Sequence, residues 1–82
     1  MTLQEKIDKL PLSIEYNERT YVLRLGGKQE YIFVEYFNVN RFGDYHNIVY
    51  AENVNLNTPL SQRLDDVVDK ALTIIENKEW ER

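Results

Sequence analysis

The stretch Tyr31–Val39, with the sequence YIFVEYFNV, determines how the rest of this chain can fold. It is the longest run of β-branched and aromatic residues in the sequence, a composition typical of a β-strand. Because side chains alternate across a strand, the run has two faces. One face carries Ile32, Val34 and Tyr36, and the other carries Tyr31, Phe33 and Phe37. Both faces are apolar, which indicates a central strand of a sheet rather than an edge strand with one face in water.

The length and composition indicate one small domain that spans residues 1–82. The chain is 43% hydrophobic and 29% charged, which is the balance of a globular protein rather than a disordered one. A chain of this size buries only about 60% of its unfolded surface, so it forms one modest core. Cysteine is absent, which excludes disulfides and thiolate metal ligands and suits the cytoplasm. We expect no membrane partner, because no signal-peptide pattern and no membrane-length apolar run occur.

The residues before the first strand predict a short N-terminal helix. Thr2 and Glu5 have the spacing of a capping box, in which each side chain accepts a hydrogen bond from the other residue's backbone amide. Apolar residues then recur at helical spacing up to Leu10, and Pro11 ends the pattern. We predict a helix over residues 3–10, which must pack against the sheet because two helical turns are not stable alone.

Two further strands are predicted between this helix and the central strand. Residues 12–17 alternate apolar and polar side chains, and residues 20–25 form the next strand. A tight turn through Glu18 and Arg19 would pair apolar residues with each other on one face of the sheet. The predicted pairs are Tyr16 with Tyr21, Ile14 with Leu23 and Leu12 with Leu25.

Gly26 and Gly27 predict the turn that leads into the central strand, because both can adopt a positive φ angle without steric cost. A loop of two or four residues at this point puts Ile32 on the same face as Leu23. A loop of three residues puts Phe33 there instead, and the sequence leaves both arrangements open.

The second half of the chain predicts a fourth strand and a longer helix. The strand covers residues 45–54, and its register is open because Gly43 could support a bulge. Thr58 and Pro59 form a favourable helix start, with a hydroxyl cap followed by proline. An apolar stripe of helical spacing then begins at Leu60 and continues through the helix, which ends near residue 78.

The order of these elements predicts an α+β domain of the form α-β-β-β-β-α. Sequential strands usually pair with their neighbours, so the four strands form an antiparallel meander. Two helices side by side cover about the width of such a sheet, so both are expected on one face. Nothing remains to cover the opposite face, which carries Tyr31, Phe33 and Phe37. We therefore interpret these three residues as a partner-binding surface or a self-association surface. The alternatives are that Arg24, Glu35 and other long polar neighbours shield the rings, or that one helix crosses over and covers them.

The charge distribution gives a second candidate surface. The net charge of −4 falls entirely in residues 42–82, because residues 1–41 carry equal numbers of acidic and basic side chains. This balance disfavours binding to nucleic acid, which requires clustered Lys and Arg. Asp65, Asp66 and Asp69 lie on the exposed side of the predicted helix and could bind a basic surface of a protein partner. The alternative is an ordinary solvated helix face, in which Asp66 pairs with Lys70.

The sequence contains no recognisable catalytic or metal-binding set. His46 is the single histidine, and no cysteine or second histidine accompanies it at metal-ligand spacing. No Ser or Cys nucleophile is placed beside a base in a recognisable pattern. We therefore expect no cofactor, no metal and no enzymatic activity.

These features predict a non-catalytic protein-interaction domain. In size, acidity and order of elements the chain resembles many small bacterial and phage proteins, including counter-defence inhibitors, antitoxins and immunity proteins. That resemblance implies a small acidic inhibitor that covers a basic site on its partner, but no residue-level motif supports it. The alternative is a binder of single-stranded nucleic acid or a small ligand through the aromatic sheet face, since base stacking uses aromatic side chains.

Overall fold

The computed structural model describes residues 1–28 and 30–81, and it has the predicted order of elements. The elements are helix α1 (Leu3–Asp8), strands β1 (Ser13–Tyr16), β2 (Arg19–Lys28), β3 (Tyr31–Val39) and β4 (Tyr45–Asn53), helix α2 (Leu60–Glu76) and a 3-10 turn (Glu79–Glu81). The strands form one antiparallel sheet in the order β1-β2-β3-β4. The predicted α+β fold with a four-stranded meander is confirmed. Neither helix is long and apolar enough to cross a membrane, as judged over the part of the chain that the structure describes.

Both helices pack on the same face of the sheet, as predicted. The core joins the inward side chains of the strands, such as Val34 and Tyr36, to Val67, Val68 and Ala71 of α2, and all five are fully buried. Helix α1 packs beside α2 through its partly buried apolar residues. The 3-10 turn after α2 places a tryptophan, Trp80, against the same core. One face of the central strand is therefore sealed by the helices.

The helix starts agree with the sequence only in part. In α1 the capping box is present, because Glu5 N donates to Thr2 Oγ1 at 3.2 Å and Thr2 N donates to Glu5 Oε1 at 3.4 Å. In α2 the predicted hydroxyl cap by Thr58 is wrong, because Pro59 occupies the N-cap position and no side chain caps the helix. The apolar stripe of α2 was predicted to begin at Leu60, but Leu60 is 59% exposed, so the buried stripe begins about one turn later.

The β1–β2 hairpin has a different register from the predicted one. Its turn is formed by Asn17 and Glu18, which have φ angles of 51° and 63°, and not by Glu18 and Arg19. Two consecutive residues with positive φ are typical of a type I′ hairpin turn, and Asn tolerates this conformation well. The pairing moves accordingly, so that Ile14 lies opposite Tyr21 and Tyr16 lies opposite Arg19. The shift is an even number of residues, so the apolar side chains keep the predicted face.

The register shift has one consequence for the core. Leu12 was predicted to pair with Leu25 on the buried face, but it precedes β1 and is 84% exposed. Leu12 still bonds to the sheet through its backbone, because its carbonyl oxygen accepts a hydrogen bond from Leu23 N at 3.0 Å. Strand β1 therefore contributes four residues and protects only the first part of β2.

Gly26 and Gly27 do not form a turn. They lie inside β2, where Gly26 pairs with Phe33 and Gly27 pairs with Ile32 of β3. A Cβ atom at Gly26 would lie 2.7 Å from Phe33 Cζ, so the glycine makes room for the aromatic ring. The resulting register places Ile32 on the same face as Leu23, which is the arrangement predicted for an even-length loop.

A β-bulge between Tyr36 and Phe37 settles the register of β4. On the β4 side the additional residue is Ile48, which lies between the partners Asn47 and Val49. The bulge is not at Gly43, which instead has a φ angle of 83° in the loop before β4. Beyond the bulge, Val49 and Ala51 point into the core.

Candidate functional site

The side of the sheet that faces away from α1 and α2, which we call the open sheet face, carries a compact group of aromatic and charged side chains. They come from the three longer strands and surround one cation. We call this group the Arg24 cluster, and it consists of Arg24, Phe33, Glu35, Phe37, Tyr45 and Tyr50. No helix covers it, so its own side chains must shield the centre.

Glu35 is the centre of the Arg24 cluster. Its side chain is only 2% exposed, although it lies on the uncovered face of the sheet. Arg24 lies directly across the strand pair and donates to Glu35 Oε2 from Nε at 3.0 Å and from Nη2 at 2.6 Å. Asn47 Nδ2 donates to the other carboxylate oxygen at 3.3 Å. A buried carboxylate is costly unless it is paired and hydrogen-bonded, and these contacts meet that requirement.

The guanidinium of Arg24 also contacts aromatic rings on both sides of Glu35. Its central carbon lies 4.6 Å from the ring centroid of Phe37, 5.6 Å from that of Phe33 and 5.8 Å from that of Tyr45. Cation–π attraction of this kind operates within about 6 Å of the centroid. Because the Arg24 side chain is 48% exposed, it forms both the lid over Glu35 and part of the outer surface.

Two stacked ring pairs extend the cluster along the sheet. Phe37 stacks with Tyr45 at a centroid distance of 5.7 Å, and Phe33 stacks with Tyr50 at 6.1 Å. Tyr31 continues the row, because its ring lies 6.1 Å from that of Phe33 in a tilted arrangement. The three predicted aromatic residues therefore lie on one surface and join into one layer through Arg24 and the rings of β4.

Tyr50 connects the cluster to the outer edge of β4. Its hydroxyl donates to Glu52 Oε2 at 2.9 Å. Partial burial and this hydrogen bond to a carboxylate, in that order, raise the pKa of Tyr50 to about 12. The phenol is therefore a neutral hydrogen-bond donor at physiological pH.

The predicted acidic residues lie in the other layer of the molecule, on α2. Lys6 of α1 donates to Asp65 at 2.8 Å and to Asp69 at 3.1 Å, and these hydrogen bonds raise the pKa of Lys6. Asp66 pairs with Lys70 at 3.0 Å, as predicted, and accepts a further bond from Asn53 at 2.9 Å. The bonds from Lys70 and Asn53, in that order, lower the pKa of Asp66. Through these hydrogen bonds, the three aspartates connect α2 to α1 and to β4.

The structure thus separates the predicted site residues into two groups. Tyr31, Phe33 and Phe37 meet on the open sheet face, whereas the three aspartates lie on the helix layer. Tyr45, Asn47 and Tyr50 were not predicted as part of this surface. Arg24 and Glu35 were named only in the alternative in which polar side chains shield the rings, and Arg24 does lie over Phe33 and Phe37. A sequence signal for the central pair exists, because Glu35 is the one charged residue inside the most apolar strand and requires a cation beside it.

The polar groups of the open sheet face are engaged with one another. Its buried carboxylate is bonded to Arg24 and Asn47, and its tyrosine hydroxyl is bonded to Glu52. His46 is exposed on β4, opposite Asn38. Within residues 1–28 and 30–81, no group of three or more His, Cys, Asp or Glu side chains could hold a metal ion.

A side chain at Gly26 is expected to disturb the Arg24 cluster, because it would contact the ring of Phe33. Gly26→Ala places a methyl group 2.7 Å from Phe33 Cζ, so the ring must move and its contacts with Tyr50 and Arg24 change. Overpacking of this kind costs about 1–3 kcal/mol, which urea denaturation measures. Gly27→Ala is the matched control, because its methyl group would lie 3.2 Å from Ile32 Cγ2 and requires a smaller adjustment. Equal losses for the two variants would show that Phe33 is not held in place by Gly26.

The fold and the cluster together define a two-layer α+β domain with one helix-covered sheet face and one self-shielded aromatic face. No protein-family model, curated protein or solved structure significantly matches this chain. Function must therefore be inferred from the surfaces of the molecule itself.

Proposed function

We propose that this chain is a non-catalytic protein-interaction domain that associates through its open sheet face with a second copy of itself. The observation that carries this proposal is the amount of apolar surface that remains exposed on that face after the Arg24 cluster has formed. Val22 is 42% exposed, Val39 51%, Tyr45 46% and Tyr50 41%. Large contiguous apolar surface on a small domain is a common mark of an interaction site.

The size of the face supports association. Four strands spaced about 4.8 Å apart, with strands of up to about 30 Å in length, give a footprint of roughly 600 Å². Stable protein–protein contacts bury about 800 Å² per partner, and side-chain relief increases the accessible area above the flat footprint. The open sheet face is therefore close to the area that a stable dimer needs.

The charge of the face supports a second copy as the occupant. The outward side chains of the sheet include two cations, Arg24 and Lys28, and three carboxylates, Glu15, Glu35 and Glu52. Their net charge is −1, compared with −4 for the whole chain. A two-fold interface places the same patch against itself, so a nearly neutral, aromatic patch can self-associate without strong repulsion.

The alternative of a nucleic-acid or small-ligand site on this face has less support. The Arg24 charge is already compensated by Glu35 at 2.6 Å, so the aromatic rings are not combined with a basic groove. A cytoplasmic location belongs to the proposal on the basis of the cysteine-free sequence.

Sedimentation velocity tests the proposal over a concentration series from micromolar to millimolar. The wild-type chain is expected to shift from the 9.8 kDa monomer to twice that mass as the concentration rises. Val22→Lys places a charge on the open sheet face and is expected to weaken the dimer at least tenfold. Leu56→Lys is the matched control, because Leu56 is 63% exposed and lies in the connection between β4 and α2. A wild-type monomer at every concentration, or equal effects of the two substitutions, would overturn the proposal.

A further inference from the structure

Among residues 1–28 and 30–81, no further strand pairs with the outer edge of β4. β4 is the last strand in the order β1-β2-β3-β4, and it presents nine residues without proline or lysine. Natural proteins usually protect an edge of this length with such residues, with a short strand, with a β-bulge or with a covering element. In β4 the bulge at Ile48 leaves Val49 to Asn53 as the regular part of the edge. The opposite edge consists of the four residues of β1 and then of the end of β2, which carries Lys28. The two edges of this sheet are therefore not equivalent.

The backbone of β4 beyond the bulge points alternately towards β3 and away from it. The register from Val49 to Asn53 is regular. The Glu52 carbonyl oxygen accepts a hydrogen bond from Lys70 Nζ at 3.4 Å, which identifies Glu52 as a residue whose backbone groups face outward. Because alternate residues of an antiparallel edge strand face the same way, the N–H and C=O groups of Tyr50 also point outward.

A groove runs along this edge between β4 and α2. It has a volume of about 580 Å³ and is lined by residues 50–52 on the strand side and by Asp66, Asp69, Lys70 and Ile74 among others on the helix side. Its floor is mainly apolar, while its rim is charged. The groove therefore offers outward backbone groups, an apolar floor and charged walls, which are the components of a site for an added strand.

The net charge around the groove determines the charge of the peptide strand that could bind there. Glu52, Asp65, Asp66 and Asp69 lie at or beside the helix wall and the edge, and Lys6 and Lys70 partly compensate them. The sum is −2, which repels a second copy of the same edge and attracts a basic segment. Lys70 is 52% exposed, and its 3.4 Å bond to Glu52 is long, so an incoming N–H group can replace it there while Lys70 keeps Asp66.

We propose that the β4 edge and its groove bind an extended basic segment of a partner protein as a fifth strand of the sheet. Side chains of an added strand alternate, so Lys or Arg at every second position would face Asp66 and Asp69. The intervening apolar side chains would lie beside Tyr50 on the open sheet face. This inference goes beyond the proposed self-association and does not depend on it, because strand addition uses the outward backbone groups of β4 and the aspartates of α2. The two surfaces share only Tyr50 and Glu52, which lie where they meet.

Fluorescence anisotropy with a labelled hexapeptide of sequence KVRVKV tests the site at low and moderate salt. The peptide is expected to bind in the micromolar range and to lose affinity as the salt concentration rises. Two control peptides separate the causes. EVEVEV has the opposite charge and is expected not to bind, whereas KVRPKV keeps the charge but interrupts the strand hydrogen bonds and is expected to bind at least tenfold more weakly.

A matched pair of variants locates the site on the protein. The double substitution Asp66→Asn and Asp69→Asn is expected to weaken KVRVKV binding at least tenfold. Glu76→Gln with Glu81→Gln removes the same charge from outside the groove and is expected to have little effect. Circular dichroism confirms that each variant is folded.

Amide hydrogen exchange of the wild-type protein gives a readout that does not depend on any substitution. The amides of Tyr50 and Glu52 are expected to exchange rapidly in the free protein and at least tenfold more slowly with the peptide. Val49 and Ala51, whose amides face β3, are the internal control and are expected to be protected in both states. Absence of binding, equal binding of KVRPKV, or binding without protection of Tyr50 and Glu52 would overturn strand addition, whatever the oligomeric state of the chain.

Discussion

Replacement of Arg24 by methionine is expected to lower the free energy of unfolding by about 3 kcal/mol. Removal of one partner from a buried ion pair typically costs about 3–5 kcal/mol, because the other charge is left without compensation. The lower end of that range applies because Arg24 is 48% exposed, so water can reach Glu35 when the guanidinium is gone. Methionine keeps much of the apolar length of the side chain, so the loss reports mainly on the charge. Urea denaturation at neutral pH gives the measurement.

The matched control is Lys28→Met, which removes a cation from the same strand and the same face. Lys28 lies 6.0 Å from the ring centroid of Tyr31, and its charge is not paired with a buried carboxylate. Its loss is expected to change stability by less than about 1 kcal/mol. The double variant Arg24→Met with Glu35→Leu is expected to recover most of the loss, because it removes both charges together. If the double variant is no more stable than Arg24→Met alone, the burial of Glu35 is not the cause.

Replacement of Tyr36 by alanine is expected to lower the free energy of unfolding at least as much as Arg24→Met does. The Tyr36 side chain is fully buried at the centre of β3. Deletion of a large aromatic side chain from a core costs about 3–5 kcal/mol, which approaches the total stability expected of a small domain. Thermal and urea denaturation are expected to show a largely unfolded or only marginally folded protein.

Tyr36→Phe separates the ring from its hydroxyl group. The hydroxyl donates to the carbonyl oxygen of Pro11 at 2.6 Å, and burial raises the pKa of Tyr36 to about 12. Loss of this single hydrogen bond is expected to cost about 1 kcal/mol. If Tyr36→Phe were as damaging as Tyr36→Ala, the connection between β3 and the α1–β1 segment would be more important than the packing of the ring.

The fold was predictable from the sequence because several local signals agree. The two apolar faces of residues 31–39 predicted a central strand, and that strand is the third of four in the sheet. The apolar periodicity of α2 predicted the longer helix, and the even hairpin shift kept Ile14 on its predicted face. An α+β meander follows from these signals even when individual turns are misassigned, because face alternation has a period of two.

The two turns were predicted wrongly for different reasons: Gly26 and Gly27 were interpreted by their commonest use, whereas the turn signal of Asn17 was overlooked because residues 12–17 alternate like a strand. The pair Gly26 and Gly27 is typical of a turn, but these glycines serve the packing of Phe33 and Ile32 in the middle of a hairpin. Asn17 is equally typical of a turn and occupies one here with a φ angle of 51°. The close contact that requires a glycine involves a residue on another strand, and such contacts are not encoded locally.

The candidate site was predictable only as a surface. Tyr31, Phe33 and Phe37 were placed correctly on one face, but the pairing of Arg24 with Glu35 depends on the register of β2 against β3. The positions of Tyr45 and Asn47 depend in addition on the bulge, which no residue in the sequence marks. The pairing of Asp66 with Lys70 was predicted from their spacing on α2, whereas the contacts of Asp65 and Asp69 with Lys6 depend on the packing of α1 against α2 and were not predicted.

Because of the bulge at Ile48, odd-numbered residues at the start of β4 and even-numbered residues at its end point to the same face of the sheet. Before it, the odd-numbered Tyr45 and Asn47 point to the open sheet face, and after it the even-numbered Tyr50 and Glu52 do so. A strand of uniform spacing would have turned one of these pairs inward, so the open sheet face would have lost either Asn47, which donates to Glu35, or Tyr50, which stacks with Phe33. The number of residues around Ile48 therefore matters as much as their identity. An insertion or deletion of one residue there would move the side chains of half of β4 to the opposite face of the sheet.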